Sequence, residues 1–571
     1  MGRNTILRIC KFGFILMLLS LMLGSLPVIA QEQSQESTVV ESNIAVAESP
    51  TIEKPVLYSS PPALTVEQRL QLDWADANTN LSPILDKTTV GDVAGPVPGT
   101  ESSFVEMSPN SGSPLAPGDP NIYISTQFGS IIPGGNKSNV MSSSTDGKGL
   151  KMFFTGNYFA ANSVDKGHTW KYVNSYEDFP EFCCSQISLY DESRNIYLWL
   201  RMGFPDANGE NVFKLSVDVN DPFNTSYWTY TFAPTGVNVS WTNQFWDSPH
   251  MQMGADYLYV SWNMFNQSGI WVRTVILRFP LDALAAGSGF SYNYYTNTDW
   301  FTFIPVSGAQ HTMYFASNWD ATGGAPFDSV GIWRWHEDAT GLTYWTKTVP
   351  AWTTTGRGSI HCGSPNWLAR GDMRLLTGAR YEINSDGIAE PRQTGKTVLG
   401  WWWNVAEGSG FTYPYINGAA FYEDTMELLP GYLGRPYVYG SWCFAYPSFT
   451  PNDRGDLGGV FNYSTGPNYQ IPIVAYTIAD DFWHAPPGWS VYDAVISGAG
   501  PSDAQWGNYN TVRNYQSGST WIAGTHYIPD TNNCSNCAVP LWIAFGRERD
   551  AADFRYSCQI FGACIPQVYR P

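Results

Sequence analysis

Three histidines stand at comparable places along this chain. His250, His311 and His361 each sit at the leading end of an alternating strand pattern, in successive stretches, and the protein has seven histidines in all. If those strands radiate from one axis, three imidazoles meet there and would bind a metal or act as a base. Otherwise each caps its own strand through the backbone. Arg357 lies just before His361, and Arg513 follows Trp506-Gly507-Asn508-Tyr509. Two guanidinium groups at one mouth would hold a carboxylate bidentately. With Tyr509 or a histidine as base, the constellation reads as lyase chemistry, in which arginine neutralises a uronate carboxylate while the base removes the α-proton. Hydrolysis is the other chemistry open to the chain, and it needs two carboxyls with separated pKa values. The candidates are Asp247, Glu423, Asp424, Asp480 and Asp481. Trp246, Trp402 (within Trp401-Trp402-Trp403) and Trp483 are rings that would stack on a sugar. Three consecutive tryptophans on a strand point to both faces, so at least one belongs to the core. Arg547, Glu548, Arg549 and Asp550 read as an ion-pair cluster on a closing strand.

Short alternating runs must position these groups. The first is Pro120 to Ser125, and the second Cys183 to Tyr190 with Asn195 to Trp199. Then come Asp247 to Met253 with Tyr257 to Trp262, and Gly308 to Phe315. Ile360 to Trp367 leads to Met373 to Thr377. Tyr446 to Phe449 is answered by Asp456 to Tyr463, and Trp506 to Tyr509 by Thr520 to Gly524 and Leu541 to Gly546. Period-2 runs bounded by Gly, Asn and Asp are strands joined by hairpins. Their recurrence predicts an all-β chain, a β-propeller of six or seven four-stranded blades over residues 111–571. Seven strand starts suggest seven blades, and six if the first run only completes the ring.

Charged residues make up 14% of the chain and aromatics 15%, with 24 Trp and 33 Tyr. That balance suits packed sheets and sugar or polymer contact. The formal charge is -19, from 31 basic and 50 acidic residues, and no basic stripe appears, which argues against nucleic acid as a partner. Arg3, Arg8 and Lys11 precede an apolar stretch from Phe12 to Leu23 and the small residues before Gln31, the pattern of a secretory signal peptide over 1–30. Residues 31–110, rich in Ser, Thr, Pro, Glu and Val, read mostly as a linker or arm that fills no core. Nine cysteines occur, and eight remain once Cys10 leaves with the leader. An even count after export predicts disulfides. Cys534-Ser-Asn-Cys537 reads as a local loop staple, while adjacent Cys183 and Cys184 bond either to separate partners or to each other.

The octet Ser163-Val164-Asp165-Lys166-Gly167-His168-Thr169-Trp170 has the form S-x-D-x-G-x-T-W. It resembles the Asp-box, or BNR, hairpin of sialidase-like propellers, matching at Ser163, Asp165, Gly167, Thr169 and Trp170. Ser144 to Gly149 is a fainter copy without the final aromatic. The resemblance implies that Asp165 caps its own turn and Trp170 packs between strands, both structural roles. It stops short of a sialidase, because no Tyr/Phe-Arg-Ile-Pro signature is present. Arg278-Phe279-Pro280 and Phe303-Ile304-Pro305 are the nearest strings. The chain is therefore expected to be a secreted or cell-surface propeller acting on extracellular carbohydrate as a hydrolase or lyase. The alternative is a noncatalytic propeller that binds carbohydrate or a surface protein. No cofactor is called for, calcium in a turn stays open, and no membrane span is expected after leader removal.

Overall fold

Segments such as Ile196–Gly203 (IYLWLRMG) and Lys396–Val405 (KTVLGWWWNV) are buried along nearly their whole length. A strand of this kind needs a packed layer on each face. The computed structural model describes residues 37–58, 121–127, 142–146, 149–157, 159–165, 169–321, 327–353, 360–364, 366–369, 371–383, 396–407, 412–429, 442–465, 471–478, 492–497, 510–515, 520–528 and 539–547. Their strands lie in one compact body within Thr38–Pro571.

The architecture is all-β. Five strands come first in the chain: β1 (Thr38–Glu41), β2 (Asn43–Ala47), β3 (Thr51–Glu53), β4 (Leu57–Tyr58) and β5 (Asn121–Gln127). Antiparallel meanders follow. The first is β6 (Ser142–Thr145), β7 (Met152–Thr155), β8 (Ala160–Ser163) and β9 (Lys171–Val173); the second is β10 (Phe182–Asp191), β11 (Ile196–Gly203), β12 (Phe213–Val219) and β13 (Tyr227–Phe232). The third is β14 (Gln244–Met253), β15 (Tyr257–Asn266), β16 (Trp271–Pro280) and β17 (Phe290–Asn297); the fourth is β18 (Ile304–Ser307), β19 (Thr312–Ser317), β20 (Phe327–His336) and β21 (Gly341–Thr353). The fifth has β22 (Leu375–Ile383), β23 (Lys396–Val405) and β24 (Tyr415–Tyr422), with an isolated Phe421–Leu428 bridge at its outer edge. The sixth is β25 (Trp442–Pro451), β26 (Leu457–Thr465), β27 (Ile473–Ile478) and β28 (Tyr492–Ile496). The seventh is β29 (Thr511–Tyr515), β30 (Thr520–Tyr527) and β31 (Val539–Arg547), and β5 supplies its fourth strand by pairing with β31 from Asn121↔Arg547 to Gln127↔Leu541.

The first strands of successive meanders touch one another in order, from β6 through β10, β14, β18, β22, β25 and β29, and β29 touches β6. The fourth and fifth meanders are also joined by a short parallel pairing of β18 with β22, Val306↔Gly378 and Ser307↔Ala379. The apolar core lies between meanders. Phe153 and Val173 pack with Trp199 and Tyr227 across the first and second, and Tyr515, Ile522 and Trp542 of the seventh pack with Met152, Phe154 and Tyr172 of the first. The three tryptophans of β23 divide as strand geometry requires. Trp401 and Trp403 pack among residues of the fourth meander such as Met313 and Trp335, and Trp402 turns to the sixth, 4.7 Å from the Phe449 ring. Losing the Trp402 ring would cost about 3–5 kcal/mol.

The stretch read as linker carries β1 to β4, which run backwards along the outer edges. β1 pairs with β21, β2 with β17, β3 with β13 and β4 with β9. Backbone pairing needs no core-filling side chain, so these short pieces carried no strand signal. Val39, Ile44, Val46 and Ile52 remain exposed on them. Covering an outer edge removes a template for association with other chains.

The Asp165 turn between β8 and β9 has the expected capping. Its Oδ1 accepts the Thr169 N–H at 2.9 Å, its Oδ2 the Thr169 hydroxyl at 2.6 Å, and Trp170 packs on Phe154. Of the nine cysteines, Cys183 and Cys184 bond to each other, and Cys362 bonds Cys443 at the start of β25. Cys534, Cys537, Cys558 and Cys564 lie outside the described residues, as does the stretch read as a leader. No helix among the described residues is long and apolar enough to cross a membrane.

Candidate active site at the strand starts

An asparagine from one meander repeatedly holds the backbone where the next meander begins. Asn211 bonds the Trp246 N–H at 2.8 Å and its carbonyl at 2.9 Å. Asn263 accepts the Thr302 N–H at 2.9 Å, and Asn318 accepts that of Leu375 at 3.1 Å while donating to the Met373 carbonyl at 2.7 Å. Asn404 accepts the Tyr446 N–H at 2.7 Å, and Asn510 donates to Asn462 and to the Tyr446 carbonyl, both at 2.8 Å. A buried amide that satisfies both a donor and an acceptor sets backbone position firmly, because loosening it strands both groups. Three residues near these junctions have positive φ: Ser248 at 52°, Thr302 at 61° and Tyr446 at 55°. Ser248 and Tyr446 lie in bulges where the ladder skips, between Asp247 and His250 and between Ala445 and Ser448. Such bulges re-aim side chains.

In the third meander, that bulge places Asp247 and His250 on β14. Arg374, just before β22 of the fifth meander, acts on both. Groups two meanders apart can interact only if they lean past the fourth. The fourth meander contributes Phe301, whose ring centroid lies 5.4 Å from the Arg374 guanidinium. Arg374 Nε meets Asp372 Oδ2 at 2.5 Å, and its backbone N–H meets Asp372 Oδ1 at 2.9 Å. Burial pushes the Asp247 carboxyl up, against the downward pull of the Ser248 N–H and of Arg374. Burial, then Arg374, pushes the His250 imidazole down to about 3. The cluster thus joins a carboxyl biased towards its acid form, a neutral imidazole and a fixed guanidinium. Beside it, Trp271 packs edge-on against Phe301 at 5.6 Å, with Phe245, Phe265 and Trp319 in the same apolar group. Trp271 is half-buried.

The remaining candidates are dispersed. His311 lies in the β18–β19 turn, 68% exposed, with Nδ1 3.1 Å from Glu337 Oε2. Together with Asp256 these two offer donor atoms that could hold a metal. His361 is exposed beside the buried Cys362. No interaction links these three histidines to one another among the described contacts. Trp246 and Trp402 are 0% and 1% exposed, so neither ring is open to a sugar. Glu423 is held by Arg380 through two 2.8 Å bonds, and Asp424 is exposed in a turn. Arg513 sits on β29, its Nη1 donating to the Val512 carbonyl, and burial lowers its pKa to about 10. Arg357, Trp483, Tyr509, Asp480 and Asp481 lie outside the described residues.

Sequence reasoning passed over Arg374, Asp372, Phe301 and the asparagines. Arg374 stands inside the Met373 to Thr377 run, whose pattern predicts an answering strand, whereas the structure starts the fifth meander there. The asparagines had a faint signal: Trp262-Asn263, Trp403-Asn404 and Phe461-Asn462 each put Asn after an aromatic residue near the end of a second strand.

No known protein-family profile matches the chain, and no curated protein does. Among solved structures, a puromycin hydrolase variant superposes with TM-score 0.36 and 10% identity over 68% of this chain, which spans 50% of that enzyme. A Trypanosoma rangeli sialidase in complex with the inhibitor DANA gives 0.33 and 9% over 78%, and the chain spans 62% of it. An α-L-arabinofuranosidase from Fusarium graminearum bound to an iminosugar inhibitor gives 0.32 and 9%, with 74% of this chain and 96% of that one covered. The chain is similar to these proteins in parts of its backbone, and superpositions this shallow assign it neither a fold family nor a chemistry.

Proposed function

We propose that this chain is an exported seven-bladed β-propeller whose axial cluster of Asp247, His250, Asp372 and Arg374 acts on extracellular carbohydrate. The cyclic succession of first strands, the core shared by the last and first meanders, and the β5–β31 pairing support a closed ring. The reading rests on the bulge that sets Asp247 and His250 together on β14, and on the Arg374 charge from two meanders away bearing on both. In this reading Asp247 donates a proton to the departing glycosidic oxygen while a water molecule adds to the anomeric carbon and gives its proton to solvent, and Arg374, oriented by Asp372, holds negative charge on the substrate. Trp271 offers the ring face on which a sugar stacks.

A noncatalytic binding module is the second reading. An imidazole held near 3 is a weak base at neutral pH, and the Arg374 charge already faces Asp372. Turnover and binding on a panel of neutral and acidic polysaccharides separate the two. Hydrolysis by the native chain that falls at least about 100-fold in Asp247→Asn with binding retained supports catalysis. Binding without turnover, weakened by Trp271→Ala, supports the module. Turnover unchanged in Asp247→Asn removes the proton-donor assignment.

A further inference from the structure

Away from the axial cluster, turns of the third and fourth meanders bring together Asp256 (between β14 and β15), His311 (between β18 and β19) and Glu337 (directly after β20). One donor atom from each lies within 4.8 Å of the others. His311 Nδ1 is 3.1 Å from Glu337 Oε2, and Glu337 Oε1 accepts the Asp256 backbone N–H at 3.0 Å. We infer that these three side chains form a zinc-type divalent cation site that joins the two meanders.

The donor set is the first support. One imidazole nitrogen with two carboxylates is an N/O combination that zinc takes at about 2.0–2.2 Å, leaving a fourth position for water. Calcium asks for six to eight oxygens, more than the three residues offer. Burial is the second. The Glu337 side chain is 4% exposed, so its carboxylate is held in place while His311, at 68%, is open to an incoming ion. The space it occupies depends on Gly254, where a Cβ would come within 2.4 Å of Glu337 Oε1.

Surrounding charges set the competition. Arg194 Nη2 lies 3.3 Å from Asp256 Oδ1, and the same guanidinium pairs with Asp191 at 3.0 Å and Asp282 at 2.6 Å. Arg278 donates to the carbonyls of His336, Glu337 and Ala339 rather than to the Glu337 carboxylate. An ion would therefore compete with Arg194 for Asp256. His336, whose Nδ1 is 3.7 Å from Asp338, is the nearby imidazole to be kept apart from the site.

The test is zinc chloride titration of the chelator-stripped full chain, by calorimetry and by thermal unfolding, with His311→Gln, His336→Gln and Arg194→Gln. One site is expected, with the unfolding midpoint raised by roughly 2–5 °C at about 100-fold excess over Kd. His311→Gln should lose at least about tenfold in affinity, with a metal-free midpoint equal to that of the native chain. His336→Gln should bind as the native chain does, and Arg194→Gln more tightly. Equal binding by the native chain and His311→Gln, loss of binding in His336→Gln instead, or no zinc binding at all would each leave an ordinary His311–Glu337 ion pair and overturn the site.

Discussion

The Asp247–His250 cluster and the His311 cluster each gather a histidine, carboxylates and an arginine from more than one meander, yet they are built on opposite principles. Around His250, burial comes first: it raises Asp247, lowers His250 and leaves Arg374 paired with Asp372. Around His311, the ring and Asp256 face solvent and only Glu337 is buried. A charge moved at the first site must be paid for in desolvation. At the second, water screens most of the interaction. Equivalent residue types therefore sit in a desolvated setting in one place and a solvated one in the other.

The contrast can be broken most forcefully at Arg374. Arg374→Leu leaves Asp372 without its guanidinium and should destabilise the chain by about 3 kcal/mol in urea unfolding. The His250 titration, followed by NMR, should move up towards its ordinary range in the same variant. An unchanged His250 titration would disconnect the third and fifth meanders.

Next in size is a junction. Asn404→Ala strands the buried N–H of Tyr446, a residue itself at positive φ, a loss of roughly 2 kcal/mol. Stability within experimental error of the native chain would show that the asparagines follow the strand starts and do not set them.

A pH scan tests burial at His250 itself. Its folded pKa lies below the unfolded value of 6.5, so the unfolded chain takes up the proton first as pH falls. Stability is full above pH 6.5 and declines from there towards about 3. Asp247 has the opposite sign: its raised pKa favours the fold at low pH, and that contribution is lost as pH rises through the folded value. His250→Asn should flatten the decline between pH 6.5 and 3 by roughly 1–3 kcal/mol after allowance for a half-buried ring. A slope identical to that of the native chain would mean that water reaches the imidazole freely.

The smallest effect belongs to the exposed ring. His311→Gln, without metal, should change stability by no more than about 0.5 kcal/mol in the same urea experiment. A larger loss would place His311 in the same energetic class as His250.

Legibility in the sequence followed burial pattern. The strands of the second, third and sixth meanders were readable because runs such as Phe182–Asp191, Tyr257–Asn266 and Leu457–Thr465 combine apolar residues with turn signals. The first meander begins with Ser142-Ser-Ser-Thr, buried but without an apolar period, so its turns at Ser144 to Gly149 and at Asp165 announced it rather than its strands. Gly308 to Phe315 looked like a leading strand and is the turn into β19, the second strand of its meander. That one-strand offset put His311 beside Glu337 rather than beside His250. Arg513 was legible as a residue on the final repeat, with its ladder partner Ile522 close by in the chain, but the outer strand of that sheet was not, since Asn121–Gln127 pairs with β31 from far earlier in the sequence.

Local chemistry along the chain was enough to determine that it would be built from short antiparallel strands, that Asp165 would cap its own turn, and that three adjacent tryptophans could not all face a ligand. Those properties depend on period, turn residues and side-chain alternation within a few positions. Tertiary structure alone decided that the Arg374 charge would bear on Asp247 and His250, that Cys183 would bond Cys184, and that β1 to β4 would pair along the outer edges. Each of these depends on which distant strands become neighbours and on how far water is removed between them, and neither quantity is encoded in local spacing.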